Sequence, residues 1–290
     1  MSSSSTSKPS AGTSMGTLDP AIFTRILALL APKKYAPHKR LAPLLRVNKH
    51  WHLHALPRLY SAISLKGQWV ARPLRRTLES NAALAALVQE LVLDTELSAQ
   101  APAETADHRR IVAACPNLKH LTVLGYAEAE AEKYREAIAG RAQLETLNVS
   151  EGGGLCTFAD LLGMMRGWPM LEKLILKDAL LPARSDSDPE SNSASEAEET
   201  AASCPALKMV KITDTLDASK HFSFASFAAL APAVSVLWVQ PGPQLAMPAD
   251  LVEGLRVWAP SLEALCLLSD TERAFPPLAS LPLPNPFTYA

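Results

Sequence analysis

Few residues in this chain are of types and spacings that could do chemistry. His50, His52 and His54 form the densest group, and His50 and His54 stand one helical turn apart, a spacing at which two imidazoles can reach one metal ion. No carboxylate or cysteine stands beside them at a recognisable ligand spacing, so no metal site is expected. Gly152, Gly153 and Gly154 precede a helical stretch, where backbone amides can cradle a phosphate. The Gly-Lys-Ser/Thr of a phosphate loop does not follow, so the glycines read as a turn. Cys115, Cys156, Cys204 and Cys266 contain no C-x-x-C pair, which excludes a disulfide scaffold and familiar zinc spacings. Cys115 and Cys204 each lie three residues before an aliphatic triad, a slot filled elsewhere by Trp168 or Ala231. That equivalence points to packing, not to a nucleophile. With no Ser/His/Asp set and no paired carboxylates, the expectation is a protein that is not an enzyme, with no catalytic residue and no cofactor.

The elements that position these residues follow from an internal repeat. The pattern aliphatic-x-x-aliphatic-x-aliphatic recurs as Val88/Leu91/Leu93, Leu118/Leu121/Val123, Leu144/Leu147/Val149, Leu171/Leu174/Leu176, Leu207/Val210/Ile212, Val234/Leu237/Val239 and Leu262/Leu265/Leu267. Pro116, Pro169, Pro205, Pro232 and Pro260 stand two positions before the triad in five of these units. A period in the high twenties with this strand signature reads as a leucine-rich solenoid. Helical halves are expected at Arg109–Cys115, Ala131–Ala139, Phe158–Met165, Ser223–Leu230 and Ala249–Trp258, where apolar residues fall three and four apart. Thr157 with Asp160 resembles a capping box at the start of one of them.

Side chains alternate along a strand, so residues beside and between the last two aliphatics of each triad should face a partner. The expected partner-binding positions are Lys173, Ile175, Lys177, Lys211, Val236, Trp238 and Leu268. An outward tryptophan among aliphatic residues is the strongest of these, because aromatic anchors dominate interface energetics.

Hydrophobic residues make up 48% of the chain and charged residues 20%, with Lys+Arg 28 against Asp+Glu 29 and a net charge of −1. That balance argues against a nucleic-acid or membrane-surface binder, which needs a basic excess. No apolar run approaches the length of a membrane helix, and no secretory signal is visible, so the expected location is cytoplasmic, nuclear or both. Residues 1–16 are Ser/Thr/Gly/Ala-rich and expected to be disordered. Residues 17–66 read as a small helical domain and 67–275 as the repeat array. An acidic, disordered insertion at about 182–200 carries Asp186, Asp188, Glu190, Glu196, Glu198 and Glu199 against Arg184, and 276–290 form a Pro-rich tail.

Within the helical domain, Leu18, Ile22, Ile26, Leu27 and Leu30 trace one helix face, and Leu41, Leu44 and Leu45 begin a second helix. Val47, Trp51, Ala55 and Leu59 trace a third, which ends in LYSAISL, a short strand leading into the array. Three short helices leave apolar surface uncovered, so a partner is expected. LDPAIFTRILALL, LAPLLRVNKHW and ALPRLYSAISL together resemble an F-box motif. The family usually opens Leu-Pro-x-Glu-Ile, whereas here Leu18-Asp19-Pro20-Ala21-Ile22 shifts the proline and lacks the glutamate. With repeats behind it, the chain resembles fungal F-box/leucine-rich-repeat proteins.

The fold class this implies is α/β, a three-helix F-box-like domain followed by an irregular leucine-rich-repeat solenoid (a horseshoe) of about seven units. The function it implies is substrate recognition for a Skp–cullin–F-box ubiquitin ligase. Leu18, Ile22, Leu45, Val47 and Trp51 would dock a Skp-type adaptor carrying a cullin, and the repeats would bind the protein to be ubiquitinated. The alternative is a protein-binding scaffold without a ligase.

Overall fold

The computed structural model describes residues 20–30, 41–95, 101–150, 155–177, 204–213, 223–240 and 251–267. The N-terminal Ser-rich segment, the acidic insertion, the Pro-rich tail, Gly152–Gly154, Leu18 and Leu268 lie outside the described residues. The chain divides into two compact units, Met1–Leu59 and Tyr60–Ala290.

In the first unit, α1 spans Pro20–Leu30, a 3-10 turn spans Ala42–Arg46, and α2 begins at Lys49 and runs to Ser61. Proline at the start of each of the first two segments suits a first turn, where no N–H is needed. The 3-10 turn closes when the Val47 amide donates to the Leu44 carbonyl at 3.2 Å. Leu41 and Ala55 are fully buried, with Leu44, Leu45, Trp51 and Leu59 packed against them.

The second unit is organised by a sheet of eight strands, β1 Ala62–Lys66, β2 Glu90–Asp94, β3 His120–Leu124, β4 Thr146–Ser150, β5 Lys173–Lys177, β6 Met209–Thr213, β7 Val236–Gln240 and β8 Ala264–Leu267. Their spatial order follows the chain, and each pair is parallel. Among the described residues of this unit the α-helices are α3 Gln68–Ser80, α4 Ala82–Ala85, α5 Ala101–Ala114, α6 Ala131–Ala139, α7 Phe158–Met165, α8 Phe224–Leu230 and α9 Leu251–Trp258.

One face of the sheet is buried and one is open, because successive side chains point to opposite faces. Two rows cross the sheet in register on the buried face. Ile63, Leu91, Leu121, Leu147, Leu174, Val210, Leu237 and Leu265 form one, and Leu65, Leu93, Val123, Val149, Leu176, Ile212, Val239 and Leu267 the other. The helices bury their own stripes in the same core, for example Tyr134 and Ile138 of α6, Phe158, Leu161 and Met165 of α7, and Leu251, Leu255 and Trp258 of α9. At about 1.5–3 kcal/mol per buried aliphatic side chain, the two inward residues of a strand contribute several kcal/mol once both neighbours are in place.

Successive segments are also joined at several helix ends. Helix C-termini leave carbonyls without intrahelical donors, and here a side chain from the next segment supplies one. Arg141 Nη1 donates to the Cys115 carbonyl at 3.0 Å, Cys204 Sγ to that of Trp168 at 3.2 Å, and Trp258 Nε1 to that of Ala231 at 2.8 Å. At α7 the capping box forms: the Asp160 amide donates to Thr157 Oγ1 at 3.2 Å and the Thr157 amide to Asp160 Oδ2 at 3.0 Å.

The architecture expected from sequence is corrected. In place of a three-helix F-box-like domain and an irregular leucine-rich-repeat solenoid of about seven units, the structure is an α/β fold on one eight-stranded, all-parallel sheet. The segment Ala62–Lys66, expected as a lead-in, is a full member paired with β2 in the second unit. The second N-terminal helix is a 3-10 turn. Helix α5 reaches back to Ala101, well before Arg109, because its polar first half is buried. Among the described residues no helix is long and apolar enough to cross a membrane.

Candidate functional site

Parallel pairing fixes which side chains are neighbours on the open face. The middle row runs Asn148, Ile175, Lys211, Trp238, Cys266 from β4 to β8, and the row before it runs Thr146, Lys173, Met209, Val236, Ala264. Lys177 lies in the third row, between Ser150 and Thr213. Six of the seven expected partner-binding residues are thereby brought together on β5–β7, and Leu268 lies outside the described residues. All six are at least partly exposed.

The patch has internal order. Lys211 Nζ sits 4.5 Å from the centroid of the Trp238 ring, a cation–π contact worth about 0.5–2 kcal/mol depending on its exposure. This contact holds the ammonium over the indole, while the Lys211 backbone pairs with Ile175. Lys173, Lys177 and Lys211 form no ion pair with any described residue, whereas Lys119 and Lys208 at the strand entrances pair with Glu145 at 2.7 Å and Glu172 at 3.5 Å. Lys119 donates to the Glu145 carboxylate and holds its pKa below the ordinary value. Among the described open-face positions, the acidic residues are Glu90 and Asp94 on β2. From β4 to β8 that face carries positive charge and apolar surface.

The expected adaptor residues fall into two groups. Leu45 and Trp51 are half-buried against Leu41 and Ala55, so they help to build the first unit's own core. The Trp51 amide also donates to Asn48 Oδ1 at 3.0 Å. Ile22 and Val47 are 53% and 58% exposed, and Leu29 and Leu53, which sequence reasoning did not single out, are 73% and 68% exposed. Leu18 lies outside the described residues. His50 and His54 pack ring against ring at 4.6 Å, and no group of three metal-binding side chains occurs among the described residues.

One constellation was missed by sequence reasoning. Thr95, at the end of β2, and Glu104, Thr105, Asp107 and His108 of α5 are all buried. Thr95 Oγ1 lies 3.1 Å from His108 Nδ1, and His108 Nε2 lies 3.8 Å from Glu104 Oε1. Hydroxyl, imidazole and carboxylate stand in the order of a nucleophilic triad. The geometry does not support that chemistry. The imidazole–carboxylate distance exceeds a hydrogen bond, and Thr95 is 4% and His108 0% exposed, so no substrate reaches the hydroxyl. Burial also lowers the His108 pKa to about 4, against the pull of Asp107 and Asp94, far from the value near 7 that suits a general base.

The cluster is better read as a polar clasp between β2, α5 and α3. Asp107 Oδ1 meets Arg75 Nη1 at 3.2 Å, and Thr105 Oγ1 accepts from the Ala127 amide at 2.9 Å. The signal available in sequence was Glu104 and His108 one turn apart. Thr95 could be linked to them only through the tertiary structure.

The cysteines behave as packing residues. Burial pushes the thiols of Cys115 and Cys156 up to about 12 and that of Cys204 up to about 11. Cys266 is half-buried, on the open face beside Trp238. No family model matches the chain, and no curated protein matches it. The functional reading therefore rests on these two surfaces.

Proposed function

We propose that this chain is a non-enzymatic substrate receptor of a Skp–cullin ubiquitin ligase. In this reading the first unit docks a Skp-type adaptor that carries the cullin, and the open face of the sheet holds the protein to be ubiquitinated. The observation that carries the reading is the exposed apolar surface of the first unit, at Ile22, Leu29, Val47 and Leu53. Exposed apolar surface of this kind stays in water unless a partner covers it. The resemblance of the segment from Leu18 to Ile63 to an F-box motif supports an adaptor as that partner.

Co-purification tests the reading. Wild-type chain should capture adaptor and cullin, and a double change of Ile22 and Val47 to Ala should abolish capture with an unchanged unfolding midpoint. Because both side chains are more than half exposed, the double variant should fold normally. A wild-type chain that captures no adaptor at micromolar concentration sinks the ligase reading and leaves a protein-binding scaffold in its place.

A further inference from the structure

We propose that the open face of β5–β7 receives an acidic segment of a partner protein, its carboxylates held by Lys173, Lys177 and Lys211 and an apolar side chain held against Ile175 and Trp238. The proposal deepens the receptor reading above and rests on it for the presence of a protein ligand. Charge is the first support. The three lysines have no ion pair with a described residue, and the described open-face positions from β4 to β8 contain no acid. Cations with no counter-charge on this face leave it at positive potential, which a carboxylate-bearing partner complements.

Spacing is the second support. Lys173 and Lys177 are four residues apart on one strand, about 13 Å at roughly 3.3 Å per residue, with Ile175 midway. An extended peptide laid along β5 places its own alternate side chains at the same intervals. The pattern acid-x-apolar-x-acid therefore puts one carboxylate near each lysine and its central side chain over Ile175. Lys211, held 4.5 Å from the Trp238 ring centroid, stands on the adjacent strand in the same row as Ile175. It can meet a third acid or a backbone carbonyl while Trp238 covers the anchor. Nucleic acid fits less well, because the chain has no basic excess, with Lys+Arg 28 against Asp+Glu 29.

The experiment uses the full chain and a fluorescein-labelled peptide with the core Glu-Ser-Phe-Ser-Glu, read by polarisation. Binding should weaken about tenfold or more in Lys173→Glu/Lys177→Glu and severalfold in Trp238→Ala, with unchanged unfolding midpoints, and Lys173→Arg/Lys177→Arg should retain it. Bound peptide should also slow alkylation of Cys266, the neighbour of Trp238 in register, which locates the site independently of the lysine substitutions. Equal binding of a Gln-Ser-Phe-Ser-Gln peptide, or indifference to the charge reversal, overturns the proposal. So does tighter binding of a single-stranded oligonucleotide, or binding only of a phosphoserine version of the peptide. Adaptor capture measured on the same variants keeps the two readings apart. Capture should be unchanged in the lysine and tryptophan variants. In the wild-type chain, peptide bound without adaptor captured counts against the ligase alone, and adaptor captured without peptide bound counts against this site alone.

Discussion

His108 shows how burial sets the behaviour of a single side chain. Its pKa falls from the ordinary 6.5 to about 4, so between those values the unfolded chain binds a proton that the folded chain does not. The stabilisation from a neutral His108 is present above pH 6.5 and is lost as pH falls towards 4, and it amounts to about 3 kcal/mol. His108→Asn keeps a polar partner for Thr95 but cannot titrate. Between pH 7 and pH 4, wild type should lose about 3 kcal/mol more stability in urea unfolding than this variant. Parallel profiles would show that His108 is not the neutral, buried group described here. The thiols give a second residue-scale expectation. Cys115, Cys156 and Cys204 are buried and their pKa values raised, and the thiolate is the reactive form. Alkylation of the native chain at pH 8 should label Cys266 first, and equally fast labelling of Cys204 would mean that the slot between segments is open.

At the scale of the element, two glycines in helices should respond oppositely to alanine. On α9, a Cβ added to Gly254 would lie 2.9 Å from Phe224 Cβ and from the Phe224 carbonyl oxygen. That close approach lets Trp258 meet Phe224 and Phe227 edge-on, with centroids 6.5 and 6.1 Å away. Gly254→Ala should destabilise by about 1–3 kcal/mol despite the better helix propensity of alanine. On α7, a Cβ at Gly163 would meet nothing within 4 Å, so Gly163→Ala should stabilise by about 0.5–1 kcal/mol. Urea midpoints of the two variants should move in opposite directions. A Gly254→Ala midpoint that rises or does not move would mean that α8 and α9 are not packed this closely.

At the scale of the whole molecule, stability in the second unit is shared along the sheet. Each interior strand is paired on both sides, and its two inward side chains complete the rows of its neighbours. Leu174 is fully buried in the middle of one such row. An aspartate there would strand a charge without a partner, at a cost of several kcal/mol. Leu174→Asp should therefore abolish cooperative unfolding of the unit, and Leu174→Ala should lower its stability by about 2–5 kcal/mol. An unchanged midpoint in either variant would place Leu174 outside the core and overturn the register of the sheet.

What the sequence determined alone is what short-range pattern can specify. Alternation within a strand depends on the next few residues, so the inward pair in each triad and the outward Lys173, Ile175, Lys177 and Trp238 were legible without coordinates. The Thr157/Asp160 cap and the apolar stripes of α6 and α7 are local in the same way. The short strand β1 was read only as a lead-in and not as a member of the sheet, because Tyr60 stands before it where the other units carry an aliphatic residue, although Ile63 and Leu65 keep the spacing. The start of α5 was not legible either, since Glu104, Thr105, Asp107 and His108 give no apolar period and are held by partners on β2, α3 and the segment after β3. Register was decided only in three dimensions. That Lys211 stands over Trp238 and beside Ile175, and that Thr95 meets His108, depends on how segments far apart in the chain pack together, and packing across such distances leaves no trace in local periodicity.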